Sequence, residues 1–135
     1  MSLQQSVAVR NARLDAVEVA IGASAILKLR TGAAPASCAA ADTGTVVATI
    51  NLPADWLAAA AGGSKSKNGV WEDTGADAAG VIGHFRIYDS TGAVCHLQGT
   101  VTISGAGGDM TVDNTNVALN QDIIVNTFTL SAGNA

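Results

Sequence analysis

The chain has 135 residues, 48% of them hydrophobic but only 4% aromatic, and a formal net charge of −4. That length suits one domain able to bury its own core, while the acidic balance argues against a nucleic-acid surface, which is built from clustered Lys and Arg. No run reaches the ~20 apolar residues of a membrane span, so neither a membrane nor a nucleic acid is an expected partner.

Met1 to Gln5 lead into Arg10 and Arg13 without the apolar centre of a secretory leader, and cytoplasmic synthesis is expected. Residues 4–21 read as a helix, because Val7, Leu14, Val17 and Ile21 form one apolar stripe and Gly22 suits the position just past the end. Such a stripe packs on its own sheet by default, and the alternative is that Val7, Leu14 and Val17 dock on a neighbouring chain. The expected organisation is an N-terminal amphipathic helix over residues 1–22 and a single β domain over 23–135.

Ser24 to Arg30 alternate as a first strand, and residues 31–44, rich in Ala, Gly, Pro and Ser, read as a surface loop carrying Cys38. Residues 45–52 are β-branched and apolar, a second strand. Pro53 suits the first turn of a short helix through Ala61, with Gly62 and Gly63 ending it and Trp56 anchoring it. Ser64 to Gly69, with Lys65 and Lys67, reads as a solvated loop, and residues 69–72 as a short strand with Trp71.

The best-specified stretch is a hairpin between Gly80 and Ser104. Asp89 to Gly92 fits a type I turn followed by a left-handed glycine. Pairing Asp89 with Ala93 sets Ile87 against Cys95 and Phe85 against Leu97, so Phe85, Ile87, Cys95 and Leu97 point into the core. His84, Arg86, Tyr88, His96 and Gln98 then share an outer face, and one buried face is expected. Further strands begin at Met110, Val117 and Ile123, and the apolar set changes phase at Asn126, the mark of a β-bulge. Seven or eight short strands behind one helix make a mainly β protein, an antiparallel β-sandwich or jelly roll.

Chemistry is sparse. Cys95 and His96 are strand neighbours and point to opposite faces, so with His84 and Cys38 they do not converge on a metal. Cytoplasmic synthesis predicts free thiols at Cys38 and Cys95, and a bridge between them requires Cα atoms within about 7 Å. The aspartates fall at turns, where Asp caps its own backbone. No nucleophile elbow, phosphate loop or dinucleotide fingerprint stands in a usable context. No catalytic residue, cofactor or metal is expected, and the chain does not read as an enzyme.

Four stretches carry a likeness: Val9 to Ala16; Leu29 to Pro35 with Cys38 to Asp42; Leu52 to Leu57; and Thr127 to Ala135. Together they resemble small structural proteins of tailed bacteriophages and prophages encoded among head genes. The resemblance implies a virion component, a decoration or cement protein on the capsid surface, assembled in the host cytoplasm. Its implied partners are the major capsid protein and copies of itself, a trimer being the first expectation. A head–tail connector or tail component is the alternative, as is a carbohydrate-binding β-sandwich module using Trp56 and Trp71.

Overall fold

The computed structural model describes residues 3–133; the start of the segment read for a leader and the last two residues of the tail lie outside them. The protein is mainly β, with one N-terminal helix and a curled, sandwich-like mixed sheet. Helix α1 spans Val7–Ile21. It starts three residues later than the apolar pattern suggests because Ser6 caps it, its hydroxyl accepting the Val9 N–H at 3.2 Å. It ends where Gly22, at φ 92°, donates its N–H to the Glu18 carbonyl.

Among the described residues nine strands follow: β1 (Ile26–Thr31), β2 (Val46–Asn51), β3 (Ser64–Ser66), β4 (Glu72–Asp73), β5 (Gly80–Tyr88), β6 (Cys95–Ile103), β7 (Met110–Val112), β8 (Asn116–Val117) and β9 (Ile123–Ser131). The order is β2-β1-β5-β6-β7-β9-β3, with β4 on β9 and β8 on β5. Neighbours are antiparallel except β6 and β7, which run parallel with Val101 opposite Met110. That pair makes the sheet mixed where an all-antiparallel one was expected. The bulge at Asn126 is present: Thr111 faces Thr127 and Val112 faces Val125, leaving Asn126 as the extra residue.

Curling brings the two sides of the sheet together through residues 72–77. Glu72 and Asp73 pair with Ile124 and Ile123, while Asp73 Oδ2 accepts the Thr49 N–H at 3.0 Å and the Val47 carbonyl takes the Asp77 N–H at 2.7 Å. The edge of β2 is thereby covered, which removes a template for unwanted pairing. Inside, the aromatic rings form a line: Trp56 to Trp71 at 6.0 Å, Trp71 to Phe128 at 5.6 Å and Phe85 to Phe128 at 5.4 Å between centroids. Leu27, Leu29, Val47, Ile50 and Ile87 pack around them, all buried.

The expected short helix over residues 53–61 is instead extended. Leu57 bridges Lys67, and Ala61 bridges Ser64. Helix α1 explains the difference, because its side chains take the amides an isolated turn would have used. Glu18 accepts the Leu57 N–H at 3.1 Å, Asp15 the Ala60 N–H at 3.1 Å and Asn11 the Gly63 N–H at 2.9 Å. Lys65, read as solvated, is buried beneath the same helix. Its ammonium reaches Asp15 at 2.7 Å and Glu18 at 3.0 Å. Trp56 donates its indole N–H to the Gly22 carbonyl at 3.0 Å, fastening the end of the helix.

Candidate functional site

The central hairpin turns at Asp89 to Gly92, where Gly92 has φ 73° and its N–H reaches the Asp89 carbonyl at 2.9 Å. Its register differs from the expected one. The Asp89 N–H goes to Val94, one residue further along, so Cys95 lies opposite Tyr88. A bulge at His96 then sets Ile87 opposite Leu97 and Phe85 opposite Gly99. The first offset moves Cys95 to the polar face; the second returns Leu97 to the apolar one. Phe85 and Ile87 are buried and Leu97 packs partly against the core, whereas the inward placement of Cys95 is corrected.

The polar face is not an open surface. His84, Arg86 and Tyr88 are all buried, and His96 alone of the two histidines is exposed. Residues 32–44 lie across this face, and Arg86 holds them there. Its Nη2 donates to the carbonyls of Ser37 (3.2 Å), Cys38 (2.9 Å) and Ala40 (3.1 Å), while Nη1 pairs with Asp42. Asp42 also accepts from Tyr88 Oη at 2.6 Å and from Arg30 Nη2 at 3.0 Å. Gln98 donates to the Pro35 carbonyl at 2.7 Å, and His84 Nδ1 lies 2.8 Å from the Gly32 carbonyl. Gly83 permits this closeness: a Cβ there would stand 2.3 Å from the Gly32 oxygen. His84, Arg86, Tyr88 and Gln98, which read as an outer face, are therefore the underside of a loop.

Burial works to raise the Asp42 pKa, but the hydrogen bonds from Tyr88 and Arg86 and the charge of Arg30 outweigh it and hold it below 3.8. Tyr88 moves the other way, raised by burial and by its bond to Asp42. Beside the cluster lies a cavity of about 610 Å³ lined by Cys38, residues 39–42, Arg86, Ala93, Val94 and Cys95. The two thiols are free and half-buried. They interact with each other: burial first, then the hydrogen bond to Cys38, pushes the Cys95 thiol up to about 11, partly offset by Arg86. The spacing of Cys38 and Cys95 in sequence carried no sign of this meeting.

Among the described residues, no group of three or more His, Cys, Asp and Glu side chains is arranged to hold a metal ion. Trp56 and Trp71 are fully buried in the core, with the Trp71 indole N–H given to the Asn68 carbonyl at 3.1 Å. Neither ring is presented as a stacking platform for a sugar.

On α1, Leu14 and Ile21 face inward with Val17 beside them, and Val7 is half exposed. Leu14 and Val17 thus lie on the protein's own core side, the default expectation for the stripe, rather than in the alternative interface with another chain. The opposite side is also apolar. Ala8, Val9, Ala12, Ala16, Val19 and Ala20 are exposed there in one row, since residues three and four apart share a face. This second stripe is what the sequence reading missed; alanines scattered through the helix were its signal. Comparison with protein-family models, with curated proteins and with solved structures finds no match to this chain.

Proposed function

We propose that the protein is a structural virion component, a decoration or cement protein that sits on a capsid exterior and clamps neighbouring shell subunits. The observation that carries this reading is the outward stripe of α1. A helix apolar on both sides is complete only when both sides are covered, and Val19, 80% exposed, lies on the uncovered one. Alanines on either side allow a close approach by a partner's backbone. The stripe is flanked by Arg13 and Asp15, charges suited to the rim of an interface rather than its centre.

The resemblance to phage head proteins supplies the shell as partner, and the repeating lattice makes weak single contacts sufficient. Linked copies gain avidity from neighbours already bound, so a trimer at a junction of shell subunits is the assembly proposed. The carbohydrate-module reading loses its carriers, because both tryptophans belong to the core.

The deciding measurement is copy number in purified particles, with a reconstruction to place the density. A protein present throughout the shell lattice supports the cement reading. A single ring at one vertex would make it a connector or tail component instead. Val19→Asp, on a largely exposed site, should keep the melting temperature while lowering occupancy on shells on the order of tenfold, because a charge would be buried unpaired. Unchanged occupancy would take the helix stripe out of the interface.

A further inference from the structure

We propose that Cys38 and Cys95 are a modification site: a thiol pair that oxidises to an intramolecular disulfide and locks the loop of residues 32–44 onto the central hairpin. The inference does not depend on the capsid reading. It rests on three observations. Both cysteines line the same cavity, which is open to solvent-borne reagents. The Cys38 carbonyl is 2.9 Å from Arg86 Nη2, and Cys95 lies opposite Tyr88, two residues from Arg86 on the same face of the strand, so both cysteines flank one guanidinium. The two thiols are within interaction distance of each other and unbridged.

The offset at the turn, where the Asp89 N–H goes to Val94, is what makes the pair. In the register without it Cys95 would point into the apolar core, out of reach of the loop. The loop itself has no strand pairing in its middle; its hold on the sheet is Arg86, Asp42, His84 and Gln98. A covalent bond at Cys38 therefore adds a clasp at the segment that otherwise depends on one polar cluster.

Glutathione disulfide serves as the oxidant. The Cys38 thiolate attacks one of its sulfurs, forming a mixed disulfide and releasing one glutathione thiol. Cys95 then loses its proton and displaces the second glutathione, closing the Cys38–Cys95 bond. Two protein thiols are oxidised and one glutathione disulfide is reduced to two thiols. Cys95 suits the second role, because its high pKa makes it a poor first attacker, and the mixed disulfide brings the electrophile to it.

The full chain is incubated with glutathione disulfide at neutral pH and read by intact mass, thiol titration after denaturation, and melting temperature. The expected product is a monomer lighter by two hydrogens, with no free thiol and a melting temperature raised on the order of 10 °C, reversed by dithiothreitol. Cys95→Ser should give a glutathione adduct at Cys38 without that rise, and Cys38→Ser should keep its thiol and show no rise. Persistence of both thiols, accumulation of the adduct or of a linked dimer in the wild type, or a bond that leaves the melting temperature unchanged would overturn the proposal.

Discussion

The guanidinium of Arg86 supplies, from one side chain, the donors that a neighbouring strand would have offered to residues 37–42. Three carbonyls and one carboxylate depend on it. Replacing it with leucine leaves those acceptors unpaired in a covered site, and the expected loss is about 3 kcal/mol, below the upper end for buried pairs because Asp42 stays partly solvated. Urea denaturation of Arg86→Leu measures this; a change within experimental error would mean that the loop is held by other contacts. Asp42 adds a pH dependence. Its folded pKa is depressed, so its contribution is present above 3.8 and is lost as pH falls through the lower folded value. Wild type should therefore lose melting temperature more steeply between neutral and strongly acid pH than Asp42→Asn does. Parallel curves would assign the acid sensitivity elsewhere.

At the scale of elements, α1 is attached by charge as much as by apolar contact. Buried Lys65 sits between Asp15 and Glu18, and those same carboxylates accept the amides of Ala60 and Leu57. Burial works to lower the Lys65 pKa, but the bonds to Asp15 and Glu18 overcome it and hold it above 10.5. The sign follows: the attachment is fully present below that value and is lost as pH rises through the folded pKa. Lys65→Met should cost about 2 kcal/mol, because two carboxylates then face each other without a cation. A fifteen-residue helix is marginal once undocked. The expected readout is loss of the far-ultraviolet helical signal at a lower temperature than loss of the near-ultraviolet tryptophan signal. Coincident transitions would show that helix and sheet melt as one unit.

The whole molecule is a sheet that curls around a line of rings. Phe128 touches both Phe85 from the central hairpin and Trp71 from the segment that joins the sheet's two sides. It links the walls that curling brings together, so removing it opens the core where the closure is made. Phe128→Ala should cost about 3–5 kcal/mol, against ~0.5 kcal/mol or less for a change at exposed Val70. Equal effects at the two positions would contradict this packing. The capsid role proposed above belongs to this scale too, since it uses the one helix face that the closed fold leaves uncovered.

Features that depend on a few neighbouring residues were legible in the chain. Asp89 to Gly92 is a turn because Asp caps its own backbone and Gly accepts a positive φ. Asn126 marks a bulge because a phase change in the apolar pattern is a local signal. Most strands likewise followed from alternation, and with them the mainly β class, whereas Ser64–Ser66, read as a loop, is strand β3 because β9 pairs with it. Long-range partners were not legible, because nothing in a segment's own composition names what will cover it. His84, Arg86 and Tyr88 alternate as an outer face does, yet a loop more than forty residues away buries them. Residues 53–61 have the composition of a helical turn, but the carboxylates of α1 and the strand at 64–66 draw their amides into extended pairing. The hairpin offset is the sharpest case: one extra residue at the turn moves the Cys95 thiol to the face that the loop of Cys38 covers, and the bulge at His96 restores Leu97 to the core side. Local pattern sets which faces a strand has, and only tertiary contact decides which of them meets solvent.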